Sequence, residues 1–524
     1  MPVARIVAAI RGAASRDAYK YSAVPDPESE REPQRRRQLD RRDSTQRQRL
    51  GESAHFASSQ GQTRLIKMSL GGMALFAILL TMASLGRAKP SSTCEAVGNC
   101  TGDVSQIWGQ YSPVFSVPST IDASIPAGCS VTFAQVLSRH GARFPTQKKT
   151  DAYRDMIERI QGSVEDYGKG FEFLKDYAYN LGADDLTAFG EQQMVDSGRA
   201  FLERYHNLAS DFDPFVRASG SDRVVLSAQR FLEGYYEAQR RDASTATKDI
   251  LIIPEDEAYN NTLNHGACPA FEEGPASEIR DMNQKAWLGV FGPAINRRLN
   301  SRLPGANLTL TETVYMMDLC PFTTVANTST PSDFCRLFSA DEWTSYDYFQ
   351  SLDKWYGYGR GNPMGPSQGV GFGNELIARL TGQPVRDNTT TNTTLDSSPE
   401  TFPLHDKLYA DFSHDNTMSS IFAALGMFNS TRDLPLKYKL SPRKLHGFSA
   451  SWVVPFGARM YVEKMQCNGS DEQLVRIILN DRVVPMRTCN PDRLGRCKLG
   501  AFIDSLSFVR SGGLWNQCPL KAEE

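Results

Sequence analysis

The chain has 524 residues, 40% hydrophobic and 23% charged. That is globular composition, long enough for two or three domains and too apolar for a wholly disordered chain. A formal net charge of -2 leaves no basic excess of the kind a nucleic-acid partner demands. The average hides an asymmetry: residues 1–67 hold 14 basic and 8 acidic side chains, and the rest hold 44 and 52.

In chain order, residues 1–67 come first. Their stretch PDPESEREPQRRRQLDRRDSTQRQR is poor in apolar residues, so the segment is expected to be a disordered basic tail. Residues 68–86 follow. MSLGGMALFAILLTMASL carries no charge over 18 residues, about the shortest length that spans a bilayer. Two readings stand for it. It is a signal-anchor, with the basic tail on the cytosolic side. Alternatively, translation starts at Met68 and the segment is a cleaved signal peptide.

The ten cysteines all lie beyond residue 93, and seven N-x-S/T sequons begin at Asn260, Asn307, Asn327, Asn388, Asn392, Asn429 and Asn468. An even cysteine count without any C-x2-C pair reads as five disulfides rather than a zinc site. Together with the sequons it predicts an extracellular or lumenal glycoprotein.

The folded part begins near Cys94. SVTFAQVL, Ser130 to Leu137, reads as a buried strand. It runs into RHGARFPT. A second strand candidate, DPFVRA, leads through SGSD into the helical pattern RVVLSAQRFLEGYYEAQR. A third, KLYADF, runs through SHDN into TMSSIFAALG, another helix. Each strand ends in a polar loop that holds Arg or His and precedes a helix. In an α/β sheet such loops form ligand sites, and the helix N-termini favour anions. Residues 236–385 are richer in helical pattern and polar loops. Near the C-terminus, FSASWVVPFGARMYVEKMQ and LVRIILNDRVVPM read as hairpin strands turning at PFG and ND.

The chemistry concentrates in R-H-G-x-R-x-P. Phosphoryl transfer needs neutralised phosphate oxygens, an in-line nucleophile and a proton for the leaving oxygen. Arg139 and Arg143 offer planar donor forks. His140 between them stays neutral in acid, because neighbouring positive charge lowers an imidazole's pKa. Asp415 in SHDN is the candidate proton donor.

These motifs resemble those of the histidine acid phosphatases, and within them the fungal 3-phytases of the phytase A type. The likeness runs through nearly all of residues 94–518. It rests on WGQYSPVF, QVLSRHGARFPT, LGADDLTAFGEQQ, VRASGSDRV, YGYGRGNPMGPSQGVGFGNELIARLT, LYADFSHDNTMSSIFAALG, SASWVVPFGARMYVE and NDRVVPMRTCNPDRLGRCKL. The resemblance implies an α/β fold: a mixed central sheet flanked by helices, from residues 94–235 and 386–524, with a mainly helical cap inserted at 236–385. It implies an acid phosphomonoester hydrolase acting on phytate without metal or cofactor; the catalytic domain is expected to be monomeric, and the chain to meet a membrane only through residues 68–86, if they are not cleaved, a span that falls outside the likeness. His140 is then the nucleophile that becomes phosphohistidine and Asp415 the general acid. Arg139, Arg143, Arg217 and His414 bind the scissile phosphate. Lys149 and Lys354 face the remaining phosphates, although Asp151, Ala152 and Asp353 stand where relatives carry further lysines. The implied disulfides are Cys94–Cys100, Cys129–Cys467, Cys268–Cys518, Cys320–Cys335 and Cys489–Cys497. A broad-specificity acid phosphatase on the same site is the alternative. An inactive, membrane-tethered phosphate-binding protein is a further one.

Overall fold

The computed structural model describes residues 104–241, 250–256, 259–327, 331–469 and 471–520. The chain divides into two units, Met1–Gly86 and Arg87–Glu524, and every described residue belongs to the second. The basic tail, the 68–86 span and the Cys94–Cys100 pair lie outside the described residues. Among the described residues, no helix is long and apolar enough to cross a membrane.

An eight-stranded sheet organises the unit: β1 (Cys129–Arg139), β2 (Phe215–Ser219), β3 (Ile250–Ile253), β4 (Leu408–Ser413), β5 (Arg459–Cys467), β6 (Leu474–Leu479), β7 (Arg482–Val483) and β8 (Cys497–Lys498). The strand order is β3-β2-β4-β1-β5-β6-β7, with β8 on β6. β3, β2, β4 and β1 run parallel, and β5 reverses direction against β1. Both faces of this sheet are covered, so the last seven residues of β1 and all of β4 are buried. Ala134 and Val136 point to one core, and Phe133 and Leu137 to the other. That alternation along one strand is why the central strands read as unbroken apolar runs.

Helices α1 (Gln147–Ser163), α2 (Ala188–Ala209), α3 (Asp222–Ala238), α4 (Pro275–Arg302), α5 (Leu310–Ala326), α6 (Ala340–Asp353), α7 (Val370–Thr381) and α8 (Asp415–Ala424) complete the framework. α2 and α3 cover one face through Phe201, Tyr205, Phe231 and Tyr235. α7 and α8 cover the other through Leu376, Leu380, Met418 and Phe422. Capping boxes start α5 at Thr309 and α6 at Ser339, each satisfying two otherwise orphaned backbone donors.

The packing divides the chain differently from the expected cap boundaries. β3 falls inside 236–385, yet it pairs with β2 as part of the sheet. A separate helical core joins α4, α5 and α6 to residues before 236, including Tyr153, Ile157 and Ile160 of α1. The expected strand around Trp452 is also replaced. Ala450–Val453 is a helical turn, because β1 and β6 already occupy both edges of β5. The hairpin turn at Asn480–Asp481 is present, with φ of 49° and 64°, the left-handed values such a tight turn requires.

Disulfides join Cys129–Cys467, Cys268–Cys518, Cys320–Cys335 and Cys489–Cys497. Cys129 and Cys467 face each other across β1 and β5. Under the sheet, the buried Glu463 carboxylate takes Arg204 at 2.7 Å and Arg476 at 2.8 Å. The same guanidiniums donate to the carbonyls of Ala123 and Ser124, which ties the N-terminal lead to the sheet. Glu463→Ala leaves two cations without their shared carboxylate. The expected loss is about 3–5 kcal/mol, since breaking a buried pair strands a charge. Denaturant unfolding measures it.

Candidate active site

The site forms where the parallel strands stop together. Arg139 of β1 lies opposite Ser413 of β4, and Ala218 of β2 opposite Phe412. The chain therefore delivers His140, the SGSD turn and His414 at one level, and α3 and α8 begin immediately beyond. Strand register, which is backbone hydrogen bonding, brings together residues more than 270 positions apart.

His140 is 1% exposed. Its Nδ1–H donates to the Gly141 carbonyl at 2.8 Å, and a carbonyl can only accept. That bond fixes the tautomer and leaves Nε2 with a free lone pair. Burial, and then Arg139, Arg223 and Arg143, push the imidazole well below its usual pKa. The ring stands 5.7 Å from His414 and 6.0 Å from Phe456, centre to centre. The loop is held from behind. Ser227 accepts from the Gly141 N–H and Gln193 from the Ala142 N–H. Gly141 and Gly190 sit back to back: a Cβ on Gly141 would lie 2.3 Å from the Gly190 carbonyl oxygen. Glycine in this motif serves close backbone packing.

Arg139 is fully buried. Its Nη1 donates to the carbonyls of Gln110 and of Val454, the latter at 2.7 Å. Its Nη2 stands 3.4 Å from Asp415, and its plane lies 4.5 Å over the Phe456 ring. Burial, with Arg143 and Arg223 as further positive neighbours, lowers it to about 10, so it stays charged in acid. Nε and Nη2 of Arg139, Nε of Arg143 and Nε of Arg223 are buried without hydrogen-bond partners. Buried donors of this kind are normally satisfied. Three guanidiniums with donors to spare around one imidazole make a cradle for a multiply charged oxyanion.

Arg217 stands elsewhere. Its Nε bonds Asp411 at 2.8 Å and its Nη2 bonds Glu375 at 2.6 Å, and Asp411 is also held by Arg379 and Gln135. Arg217 belongs to an ion network on the sheet face in which two carboxylates engage its guanidinium, which does not support a role as phosphate ligand. The residue that reading of the sequence missed is Arg223, six positions later in the same RASGSDRV motif. A strand alternates its side chains across the sheet, whereas the first turn of the following helix faces the cleft. The helix N-cap signal in SGSD was therefore the clue to Arg223. Glu255 was missed as well. It follows β3, a fourth strand end inside the expected cap.

His414 caps α8, and its Nε2 lies 2.8 Å from Glu255. Burial lowers the His414 pKa. Glu255, despite its own burial, is brought down to about 2 by the His414 and Ser219 hydrogen bonds. A neutral imidazole donating Nε2–H to a carboxylate satisfies both. Asp415 opens α8 with Lys354 at 2.8 Å. Burial works against its charge, but Arg139 and Lys354 hold its carboxyl well below the usual range. Lys354 is 2% exposed and spends its ammonium on Asp353, Asp415 and Asn416. Lys149 is half-buried at the edge. Its Nζ donates to Asp318 at 2.9 Å and to Tyr111 at 3.1 Å. Burial opposes its charge, and Asp318 and Tyr111 more than restore it. Tyr111 packs on Phe456, so one aromatic layer separates Lys149 from Arg139. Lys148 is exposed on α1. Among the described residues, no group of three or more His, Cys, Asp or Glu side chains is placed to hold a metal ion.

Residues 130–480 match the family model of the histidine phosphatase superfamily, branch 2. Phytase A of Aspergillus oryzae is 50% identical over 442 residues, covering 82% of this chain and 94% of that protein. Phytase A of Aspergillus fumigatus is 50% identical over 466 residues, covering 85% and 100%. In fold, the chain is similar to the crystal structure of the phytase from D. castellii, with a TM-score of 0.65 at 24% identity over 79% of this chain and 87% of that one. It is also similar to the Bifidobacterium longum multiple inositol polyphosphate phosphatase in complex with inositol hexasulfate. There the TM-score is 0.56 at 16% identity over 77% and 98%.

The two arginines of the RASGSDRV motif should separate cleanly in experiment. Arg217→Met leaves Asp411 and Glu375 short of a cation and is expected to cost about 3–5 kcal/mol of stability. Arg223→Met, whose nearest carboxylate is Asp184 at 4.0 Å, should cost less than about 1 kcal/mol. It should weaken inorganic phosphate binding roughly 10–100-fold, the worth of hydrogen bonds to a charged group. Thermal unfolding and calorimetric titration with phosphate read the two effects.

Proposed function

The chain belongs to the histidine phosphatase superfamily, branch 2, and on that premise we propose that it is an acid phosphomonoester hydrolase that releases phosphate from phytate through a phosphohistidine. The observation that carries the reading is the lone pair of His140 Nε2, held among Arg139, Arg143 and Arg223 beside a carboxyl group. The three arginines bind the phosphate oxygens, His414 joins them once the phosphate's charge draws a proton onto its Nδ1, and Nε2 of His140 attacks phosphorus opposite the ester oxygen. The P–N bond forms as the P–O bond breaks, and Asp415 gives its proton to the departing inositol oxygen. Water then attacks the phosphohistidine and passes a proton to the Asp415 carboxylate. The P–N bond breaks and orthophosphate leaves. Concentrated positive charge supplies the stabilisation of the transferring group.

Asp415 is ionised in the free site, held so by Arg139 and Lys354, and the reaction needs it protonated. The phosphate reconciles the two. Its negative charge engages Arg139 and raises the proton affinity of the adjacent carboxyl. Substrate binding is therefore coupled to proton uptake, which favours turnover in acid, where His140 is still neutral. Lys149, charged and fixed by Asp318, is suited to a phosphate beyond the one being cleaved.

The disulfides support an oxidising compartment for the catalytic unit. We propose that residues 68–86 direct it there. N-terminal sequencing of the mature protein decides the mode: a start near residue 88 means a cleaved, secreted enzyme, and an intact tail means an anchored one.

Phosphate release from phytate is the direct test, together with an alkaline quench that traps the acid-labile phosphohistidine. His140→Ala should lower kcat by about 10⁴-fold or more and abolish the trapped adduct. Asp415→Asn should slow phytate turnover by roughly 10²–10⁴-fold, while 4-nitrophenyl phosphate, whose leaving group needs no proton, is affected far less. A wild-type protein that released no phosphate from either ester would refute the reading.

A further inference from the structure

Residues 431–445 leave the core and return to it at one point. The Thr431 hydroxyl donates to the Leu445 carbonyl at 2.8 Å and ties the two ends together. Leu434 and Leu445 are buried in the core that α7 and α8 share, and Leu436 and Leu440 pack against it. A segment closed in this way is an Ω loop, compact and frequently functional. It carries five basic side chains, Arg432, Lys437, Lys439, Arg443 and Lys444, against one acidic, Asp433. Residues 68–524 as a whole run the other way, with 44 basic and 52 acidic side chains. None of these residues is among those that surround His140, so the phosphoryl chemistry leaves this charge unused.

The loop is fastened to α6 and to the turn after it. The hydroxyls of Tyr348 and Tyr356 donate to the carbonyls of Pro435 at 2.8 Å and Leu434 at 2.9 Å. Lys439 is spent on the same attachment. Its Nζ donates to the Asp341 carboxylate at 2.6 Å, and the Asp341 carbonyl and the Thr344 and Ser345 hydroxyls are further acceptors. Asp433 accepts from the Trp355 indole N–H at 3.4 Å. The other four cations differ. Arg432, Lys437, Arg443 and Lys444 are exposed, and among the described residues none of them is ion-paired with a carboxylate. Tyr438, beside Lys437 at the outer bend, is 55% exposed. Arg432 and Tyr438 are both electrostatic neighbours of the Tyr348 hydroxyl, so the closed end and the bend present to one side.

We propose that this loop is a docking surface for an acidic polysaccharide, a sugar chain carrying repeated anionic groups. Four unpaired like charges on a fixed scaffold repel one another, and a polyanion relieves that repulsion while releasing its own condensed counterions. Arg432, Arg443 and Lys444 lie at the closed end and Lys437 at the bend. That spread suits an extended polymer better than one small anion. The exposed tyrosine offers a flat apolar ring with a polar tip, which can pack on a sugar ring and hydrogen-bond at its rim. The disulfides support an oxidising compartment, where such polymers are the available polyanions. A bilayer fits less well. Interfacial anchoring buries an apolar face, and all four leucines of this loop are committed to the protein's own core. Nucleic acid fits less well too, because the acidic excess of residues 68–524 opposes a long duplex or strand.

The experiment is titration of the full-length protein with polygalacturonate, with dextran as the uncharged control and inorganic phosphate present throughout to fill the arginine cradle. Wild type should bind polygalacturonate and not dextran, and should lose roughly 10–100-fold in affinity between about 50 and 200 mM salt, as counterion release requires. The triple variant Lys437→Ser, Arg443→Ser, Lys444→Ser should bind at least about 10-fold more weakly at low salt and with a flatter salt dependence. Its phytate turnover and thermal unfolding should match wild type. Tyr438→Ser should weaken binding about 2–10-fold and leave the salt dependence as it was. That variant and Lys437→Ser, both at the exposed bend, decide the matter should the triple variant fail to fold. A wild type that ignores polygalacturonate would overturn the proposal, and so would a triple variant that binds it undiminished. Binding confined to vesicles of phosphatidylserine and phosphatidylcholine would overturn it as well, and would make the loop a membrane contact instead.

Discussion

Mutual repulsion among buried cations is the constraint on which this molecule turns. Arg139, Arg143 and Arg223 all bear on His140, and Asp415 is the carboxylate that comes closest to Arg139. Such a cluster is unfavourable on its own and persists because the rest of the fold holds it. The Arg139 guanidinium is pinned by two backbone carbonyls and stacked on Phe456. The His140 loop is clamped by Ser227, Gln193 and the glycine contact with α2. On the proposed reading, an incoming phosphate relieves the repulsion, and that relief favours a multiply charged oxyanion at this site.

The protein handles its other buried cations in the opposite way. Arg217 and Arg379 meet Asp411 and Glu375, while Arg204 and Arg476 meet Glu463. Those groups sit on the sheet or against it, each guanidinium hydrogen-bonded to a carboxylate. Buried arginine is thus used in two modes a few residues apart in sequence. What separates them is whether carboxylates match the guanidiniums or leave them in excess.

Much of the site was legible because phosphoryl chemistry needs a distinctive local string. R-H-G-x-R-x-P after a strand and H-D after another identified His140, Arg139, Arg143, His414 and Asp415, each now seen at a strand end. The framework was legible too, since buried parallel strands read as apolar runs and the helices after them carry turn and cap residues. The failures are equally physical. Arg217 and Arg223 are indistinguishable as letters, and only strand alternation against helix phase assigns one to the sheet and the other to the cleft. β3 is four residues long within a polar region, too short for periodicity to reveal. The Trp452 stretch has strand-like composition, but β5 has no free edge to receive it.

By itself, then, the sequence determined the reaction class, the candidates His140 and Asp415 and the alternation of strand and helix. These depend on residue types at short spacing, which chemistry and local backbone geometry dictate. Tertiary structure alone decided which arginines gather around His140, that Glu255 buttresses His414, and that Lys354 is held by Asp353, Asp415 and Asn416. Those outcomes depend on electrostatic pairing between residues tens to hundreds of positions apart. Pairing of that kind is settled by strand register and by competition for each charge, and neither is written in any one segment.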